Sequence, residues 1–170
     1  MKKIFKVTLV ASCILFASSF ARAQTKIGYI NFHALVGQMP EIKTVKSQLD
    51  IYSKQFTDVL ASMNTELYTK EQEFQKTSPN MTDAARAAKQ TELQDLQKRL
   101  QDYNTTAQQK FDEKSNELLK PLTDKARLAV SAVAKEAGYT YVLDSSQIQL
   151  LVSPQGDDIT AAVKAKLGLK

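Results

Sequence analysis

The stretch FQKTSPNMTDAAR, residues 74–86, interrupts a sequence that otherwise favours helix. No glycine occurs between positions 38 and 137. Glycine and proline are disfavoured inside helices, because glycine loses more backbone entropy and proline lacks an N–H donor. The Ser78-Pro79-Asn80 break near the middle of this span therefore predicts that one long helix ends and a second begins, with Thr82 or Asp83 capping the second.

The two predicted helices have nearly equal lengths. The first runs over 41–77, and the second returns over 82–120. Matched lengths are what an antiparallel hairpin requires, and at about 1.5 Å per residue this hairpin would extend roughly 55 Å. The sequence therefore predicts a helical arm over 41–120, with its tip near 78–82.

Apolar side chains recur along both helices at the alternating steps of three and four that mark a coiled-coil seam. The predicted seam consists of Ile42, Val45, Leu49, Tyr52, Phe56, Val59 and Met63 in the first helix, and of Leu93, Leu96, Leu100, Tyr103 and Ala107 in the second. Polar residues flank this narrow stripe, so neither helix can bury itself in a globular core. The two helices can bury their seams against each other, and this pattern by itself does not fix an oligomeric number.

Short β-branched and aromatic runs on both sides of the arm predict a small β-sheet body. KIGYINF (26–32) and YTYVLD (139–144) favour strands, and QIQLLV (147–152) follows a Ser145-Ser146 turn, which together give a hairpin signal. A final amphipathic helix follows, with Asp157 or Asp158 placed to cap it. Such a small sheet is only marginally stable on its own, so the pattern favours association with other copies.

Pro121 lies where helical periodicity continues on both sides, and a proline inside a helix usually bends it without ending it. We therefore predict an arm kink at Pro121. The predicted organisation is a signal peptide at 1–23, body segments at 24–40 and 121–170, and the arm at 41–120. The predicted fold class is α+β, mostly α: a long antiparallel helical hairpin on a small β-sheet body that oligomerises.

The first residues have the features of a secretory signal peptide. Lysines at 2, 3 and 6 precede an apolar run at 7–20, and Ala21-Arg22-Ala23 forms an A-x-A cleavage site, so cleavage is predicted between Ala23 and Gln24. The apolar run is shorter than the roughly 20 residues that a membrane-spanning helix needs. An alternative interpretation takes 10–13 as a lipobox and predicts a lipid anchor on Cys13. We favour the exported, unanchored form.

The charge of the exported chain is nearly balanced. The full sequence has 23 Lys+Arg and 18 Asp+Glu. Four basic residues leave with the signal peptide, which reduces 23 to 19 against 18 acidic residues. The basic isoelectric point is therefore largely a property of the targeting segment and does not indicate a nucleic-acid partner. Cys13 is the only cysteine, so the exported chain has no disulfide and depends on packing or association.

The sequence contains no constellation typical of an enzyme. His33 is the only histidine, so neither a Ser-His-Asp nor a Cys-His arrangement, nor a histidine-based metal cluster, is indicated around it. The glycines are scattered singly and form no phosphate-binding loop. We therefore predict no catalytic residue, no cofactor and no metal site.

The order of elements resembles that of the Skp/OmpH-like periplasmic chaperones. The matching residues are KIGYINFHALVGQMPE at 26–41, KPLTDKARLAVSAVAKEAGY at 120–139, GYTYVLDSS at 138–146 and DITAAVKAKL at 158–167. The resemblance covers essentially all of the exported chain. It implies a homotrimer in the periplasm, with a β-barrel-like body that holds three helical arms around a cavity. It also implies an ATP-independent holdase for unfolded outer-membrane proteins.

Particular residues are expected to form the oligomer or to contact the client. The residues expected to close the oligomeric body are Tyr29, Ile30, Tyr141, Val142, Leu143, Ile148 and Leu150. Phe74 and Met81, near the arm tip, have no obvious seam role; they could contact an unfolded client or only hold the tip together. The expected partners are unfolded outer-membrane β-barrel proteins and further copies of the chain, without nucleic acid and with at most peripheral membrane contact.

The arm departs from the strongly basic arms of well-known members of that family. Between 41 and 135 there are 15 Lys+Arg and 14 Asp+Glu, so electrostatic steering of clients is not indicated and no lipopolysaccharide site is carried over. A second interpretation remains open. In it the chain is an envelope structural or adaptor protein whose coiled-coil arm docks one folded partner and leaves aggregation unaffected.

Overall fold

The computed structural model describes residues 25–169. The predicted signal peptide, the cleavage site at Ala23 and Gln24, and Cys13 lie outside the described residues. The elements run in the order β1 (Ile27–Ile30), α1 (Phe32–Gly37), α2 (Glu41–Thr77), a 3-10 turn (Ser78–Asn80), α3 (Asp83–Glu136), β2 (Tyr141–Asp144), a second 3-10 turn (Gln155–Asp157) and α4 (Thr160–Leu167). None of these helices is both long enough and apolar enough to cross a membrane.

The described chain divides into two compact units. The arm unit comprises 33–128, and the body unit comprises 25–32 together with 129–168. The buried apolar residues of the arm unit are Leu35, Val36, Met39, Val45, Leu96, Ala107, Leu122 and Ala126. Those of the body unit are Ile30, Ala129, Val133, Ile159 and Val163.

Within the arm unit, α2 and α3 pack antiparallel, as the matched lengths predict. The Lys125 amine contacts the Glu41 carboxylate at 2.6 Å near the start of α2. Further along, the Phe56 and Tyr103 rings lie 6.4 Å apart, centroid to centroid. Residues later in α2 thus contact residues earlier in α3, so the two helices run antiparallel. The predicted hairpin and the mostly helical α+β class are confirmed.

The observed seam departs from the predicted one at a single step. Val59, assigned to the seam, is exposed, whereas Leu60 is half-buried. The seam therefore runs from Phe56 to Leu60 and then to Met63, in steps of four and three. Such a phase shift keeps the apolar stripe facing the partner helix where a straight helix would drift away from a strict heptad.

The ends of the long helices follow local capping chemistry. Thr82 accepts a hydrogen bond from the Ala85 N–H at 3.3 Å at the start of α3. At the other end Gly138 has φ +72°, a left-handed conformation that glycine adopts without a Cβ penalty. Pro121 lies inside α3, which continues to Glu136. The kink at Pro121 remains a prediction.

The sheet is formed differently from the predicted hairpin. β1 and β2 pair in parallel, with Ile27 opposite Tyr141 and Ile30 opposite Asp144. Residues 147–152 form no strand in the described chain, so the predicted pairing of QIQLLV with the preceding strand is wrong. The predicted Ser145-Ser146 turn is present, because the Asp144 carboxylate accepts hydrogen bonds from the Ser146 N–H at 2.9 Å and the Ser146 hydroxyl at 2.7 Å. The residues after this turn do not return along β2, which pairs with the distant strand β1.

Gly28 sits where the body unit leaves no room for a side chain. A Cβ at this position would lie 3.1 Å from Tyr139 Cδ1 and 3.2 Å from Ile159 Cγ2. We expect Gly28→Ala to lower the free energy of unfolding by about 1–3 kcal/mol, because the ring and the methyl group must shift. Urea denaturation measures the change. The control is Gly156→Ala, whose Cβ would meet nothing within 4 Å, so equal losses in the two variants would contradict the packing argument.

Candidate functional site

The arm tip is closed by backbone and side-chain hydrogen bonds. The Arg86 guanidinium donates to the Ser78 carbonyl at 3.3 Å and to the Met81 carbonyl at 3.4 Å. Met81 itself is extended, with φ −85° and ψ 150°, and thereby joins the 3-10 turn to α3. Arg86 thus bridges the reversal that the Ser-Pro-Asn break predicted.

Phe74 and Met81 are half-buried inside this tip. Together with Leu93 they line a cavity of only ≈ 10 Å³, about the space of one water molecule. This packing supports a role in holding the tip together. Contact of Phe74 or Met81 with a client remains a prediction.

Just below the tip, the Glu92 carboxylate of α3 accepts hydrogen bonds from two lysine amines, one on α2 and one on α3. The Lys70 amine donates to Glu92 Oε1 at 2.5 Å, and the Lys89 amine donates to Glu92 Oε2 at 2.8 Å. The hydrogen bond from Lys70, followed by that from Lys89, lowers the pKa of Glu92 to about 2. The same contact with Glu92 raises the pKa of Lys70. The ionised carboxylate therefore favours the folded tip.

This pKa shift predicts a pH dependence. Because the folded pKa of about 2 lies below the ordinary value of 4.5, the stabilisation is fully present above about pH 4.5 and is lost as the pH falls towards 2. We expect the wild type to have a higher thermal midpoint than Glu92→Gln near neutral pH, and the two midpoints to converge near pH 2. A difference that stayed constant with pH would contradict the assignment. Glu113→Gln, at an exposed position on α3, serves as the control.

Most charges of the arm are neutralised by near neighbours. Pairs at i,i+4 on one helix include Lys54–Asp58 at 2.9 Å, Lys98–Asp102 at 2.7 Å and Lys120–Asp124 at 2.8 Å. Exposed pairs of this kind contribute little to stability. Each of these pairs is neutral as a unit.

The residues assigned to the oligomeric body occupy two different environments. Tyr141 and Leu143 are exposed on one face of β2, and Val142 is half-buried on the other face. Ile30 is buried in the core of its own body unit, and Tyr29 is half-buried. The role of all seven assigned residues in oligomerisation remains a prediction.

The segment after β2 carries the most exposed apolar side chains of the body unit. Ile148 is exposed and Leu150 half-buried, as members of the assigned set, but Leu151 and Val152 are 89% and 83% exposed. Sequence reasoning assigned neither of the last two, although both lie in the QIQLLV run. Ile27 of β1 is a further exposed residue that it missed.

Two exposed apolar residues on α2 were also missed. Ile51 and Tyr68 are each 64% exposed, outside the seam with α3. They lie at the two ends of a second series of α2 residues, spaced by three and four positions and therefore on one face of the helix. That spacing is visible in the sequence and could have been used to predict them. A third, Leu128 on α3, is 72% exposed.

No group of three or more histidine, cysteine, aspartate or glutamate side chains within 25–169 is placed to hold a metal ion. His33 is exposed at the start of α1. The features that remain are surfaces: an arm with exposed outer faces and a body unit with exposed apolar side chains.

Comparison with known proteins gives a consistent result. The family model described as outer membrane protein (OmpH-like) matches residues 26–167. Chaperone protein Skp of Photorhabdus luminescens is 27% identical over 167 residues, covering 96% of this chain and 97% of that protein. Chaperone protein Skp of Yersinia enterocolitica is 30% identical over 155 residues, covering 86% and 88%. A solved OmpH-like structure from Caulobacter crescentus has a TM-score of 0.60 at 18% identity, covers 86% of each chain, and is alike in fold.

Proposed function

Since the chain belongs to the OmpH-like family, we propose that it is an ATP-independent periplasmic holdase, a chaperone that binds unfolded outer-membrane proteins between helical arms and prevents their aggregation. The relatives named as chaperones match over most of their length, which supports this role. No catalytic step is part of the proposal. In this proposal, the exposed faces of the arm bind the client.

The observation that carries the proposal is the exposure of the arm. Helix α2 has 37 residues and buries only a narrow seam against α3, so its remaining faces stay open. An arm of this kind can touch an extended chain at many points along its length. Unfolded β-barrel proteins expose apolar segments with unpaired strand edges, which aggregate unless they are covered.

Multivalency explains how such a surface both holds and releases its client. Each contact with an exposed side chain is weak, but several contacts on linked arms act at high effective concentration. Loss of a few contacts is then enough for release, and nucleotide is not required. The near-neutral arm implies that capture depends less on charge than on apolar contact.

A homotrimer is part of the proposal, by resemblance to the family. The exposed apolar side chains of the body unit support association, because covering them with other copies of the chain would remove apolar surface from water. Tyr141, Leu143 and Ile148 from the assigned set lie among these exposed residues. Covering them would add apolar burial that the two-stranded sheet lacks in one chain.

The discriminating experiment compares unfolded with folded partners. The mature chain, 24–170, is mixed with an outer-membrane β-barrel protein that is either diluted from urea or already folded in detergent, and the masses of soluble complexes are measured by light scattering. The holdase role predicts a complex of three chains with one unfolded client and none with the folded form. Binding to the folded protein alone would favour the adaptor role.

A further inference from the structure

A second stripe runs along α2 outside the seam with α3. Its members are spaced by three and four residues, so they lie on one face of the helix, and all six are exposed: Ile51, Lys54, Asp58, Ala61, Thr65 and Tyr68. We call this set the outer stripe. Its two end residues have large, mainly apolar side chains. In its middle, Ala61 and Thr65 are small, and Lys54 and Asp58 are paired with each other. Nothing within the arm unit covers it.

The polar side chains in the middle of the outer stripe already form hydrogen bonds within the helix. The Lys54 amine donates to both carboxylate oxygens of Asp58, at 2.9 and 3.0 Å. The Thr65 hydroxyl donates to the Ala61 carbonyl at 2.8 Å, which leaves its methyl group free to face outwards. Covering a polar group is costly when its hydrogen bonds are lost. Here an apolar partner could cover Ala61 and Thr65 without breaking one.

The spacing of the two ends matches a specific kind of segment. At about 1.5 Å rise per residue, Ile51 and Tyr68 lie roughly 25 Å apart along the helix axis. A membrane-spanning strand of an outer-membrane β-barrel has about 9–11 residues, which at about 3.3 Å per residue gives a length of roughly 30–36 Å. One unfolded membrane strand laid along α2 would therefore reach both ends.

We propose that the outer stripe is a seat for one apolar, membrane-destined strand of an unfolded β-barrel protein, anchored at Ile51 and Tyr68. This inference rests on the proposed function and assigns the client contact to particular residues. The charge of the stripe is compatible with this occupant, because membrane-facing positions of such strands are uncharged and the only two charges of the stripe, Lys54 and Asp58, are paired with each other at 2.9 Å. The Tyr68 hydroxyl adds a polar group that can bond to the backbone of the strand.

The first test measures client affinity. The mature chain carrying Ile51→Ser and Tyr68→Ser together is compared with the wild type, using a fluorescently labelled β-barrel protein diluted from urea as the probe. Burial of two large side chains predicts a dissociation constant raised at least about tenfold. The control is Leu128→Ser, which removes a comparably exposed side chain outside the stripe and should change the constant less than about twofold. Far-UV circular dichroism checks that the helices are intact.

A second measurement does not depend on loss of affinity. The exported chain has no cysteine of its own, so Ala61→Cys can carry a single polarity-sensitive dye, with Gln109→Cys on α3 as the control. Binding of the unfolded probe should shift the emission of the dye at position 61 to shorter wavelength and leave the dye at position 109 unchanged.

Three results would overturn the inference. The first is wild-type affinity in the double variant, and the second is an equal response of the two dyes. The third is a change in the mass of the free oligomer with no change in client affinity, because the stripe would then contact a second copy of the chain. A wild-type chain that bound no unfolded probe would instead refute the proposed function itself, so the two failures are distinguishable.

Discussion

Replacement of Leu151 and Val152 together by aspartate is expected to convert the proposed trimer into monomers. Both side chains are largely exposed in the single chain, at 89% and 83%, so the change removes little packing within it. If association covers them, two buried charges without partners would cost far more than the interface can supply. Multi-angle light scattering should show the mass falling about threefold from the expected trimer.

The control for this variant lies in the same segment. Gln147→Asp and Gln149→Asp add the same two charges at exposed polar positions and should leave the mass unchanged. Circular dichroism should report intact helices in both variants. A Leu151/Val152 variant that kept the wild-type mass would remove this segment from the interface. Loss of assembly in both variants would mean that charge alone is responsible.

Leu96→Ala is expected to lower the free energy of unfolding by about 2–4 kcal/mol, because deletion of a buried leucine side chain loses its transfer energy and leaves a cavity. Leu96 is only 4% exposed and lies on the α3 side of the seam. Urea denaturation followed by far-UV circular dichroism measures the loss. Wild type and variant are compared at one protein concentration, since assembly adds to apparent stability.

A matched substitution on the same helix isolates the contribution of the seam. Leu128→Ala makes the same chemical change at a position that is 72% exposed and should alter the free energy of unfolding by less than about 0.5 kcal/mol. Equal effects at 96 and 128 would contradict the claim that packing between α2 and α3 holds the arm together.

The arm could be predicted from sequence because its determinants are local. The absence of glycine, the Ser78-Pro79-Asn80 break and the three-four spacing each act within a few residues. They placed α2 at the bounds that the structure has, 41–77. The misplacement of Val59 shows the limit of this reasoning, since a one-residue phase shift changes the buried position without changing the overall pattern.

The body could be predicted only in part, because its contacts join distant residues. Ile27 pairs with Tyr141, although the whole arm separates them in the sequence. Likewise, the Phe32 N–H donates to the Asp144 carboxylate at 3.1 Å. Local β-propensity located both strands correctly. It could not select a parallel partner over the neighbouring QIQLLV run, because both choices offer similar side chains.

The candidate surfaces were harder still to find. Sequence reasoning drew attention to Phe74 and Met81, which the structure places half-buried in the tip. It overlooked Ile51 and Tyr68, because a search for the seam selects the strongest apolar period and ignores a sparser one beside it. Exposure depends on which face the partner helix covers, and that is a property of the hairpin and not of any one segment.

The central claim, that this chain keeps unfolded outer-membrane proteins from aggregating, is tested most directly by light scattering. A urea-unfolded β-barrel protein is diluted with and without residues 24–170, in the absence of ATP, and scattering is followed over time. We predict that scattering is suppressed once three chains are present per client. Scattering that rises equally with and without the chain would contradict the holdase function.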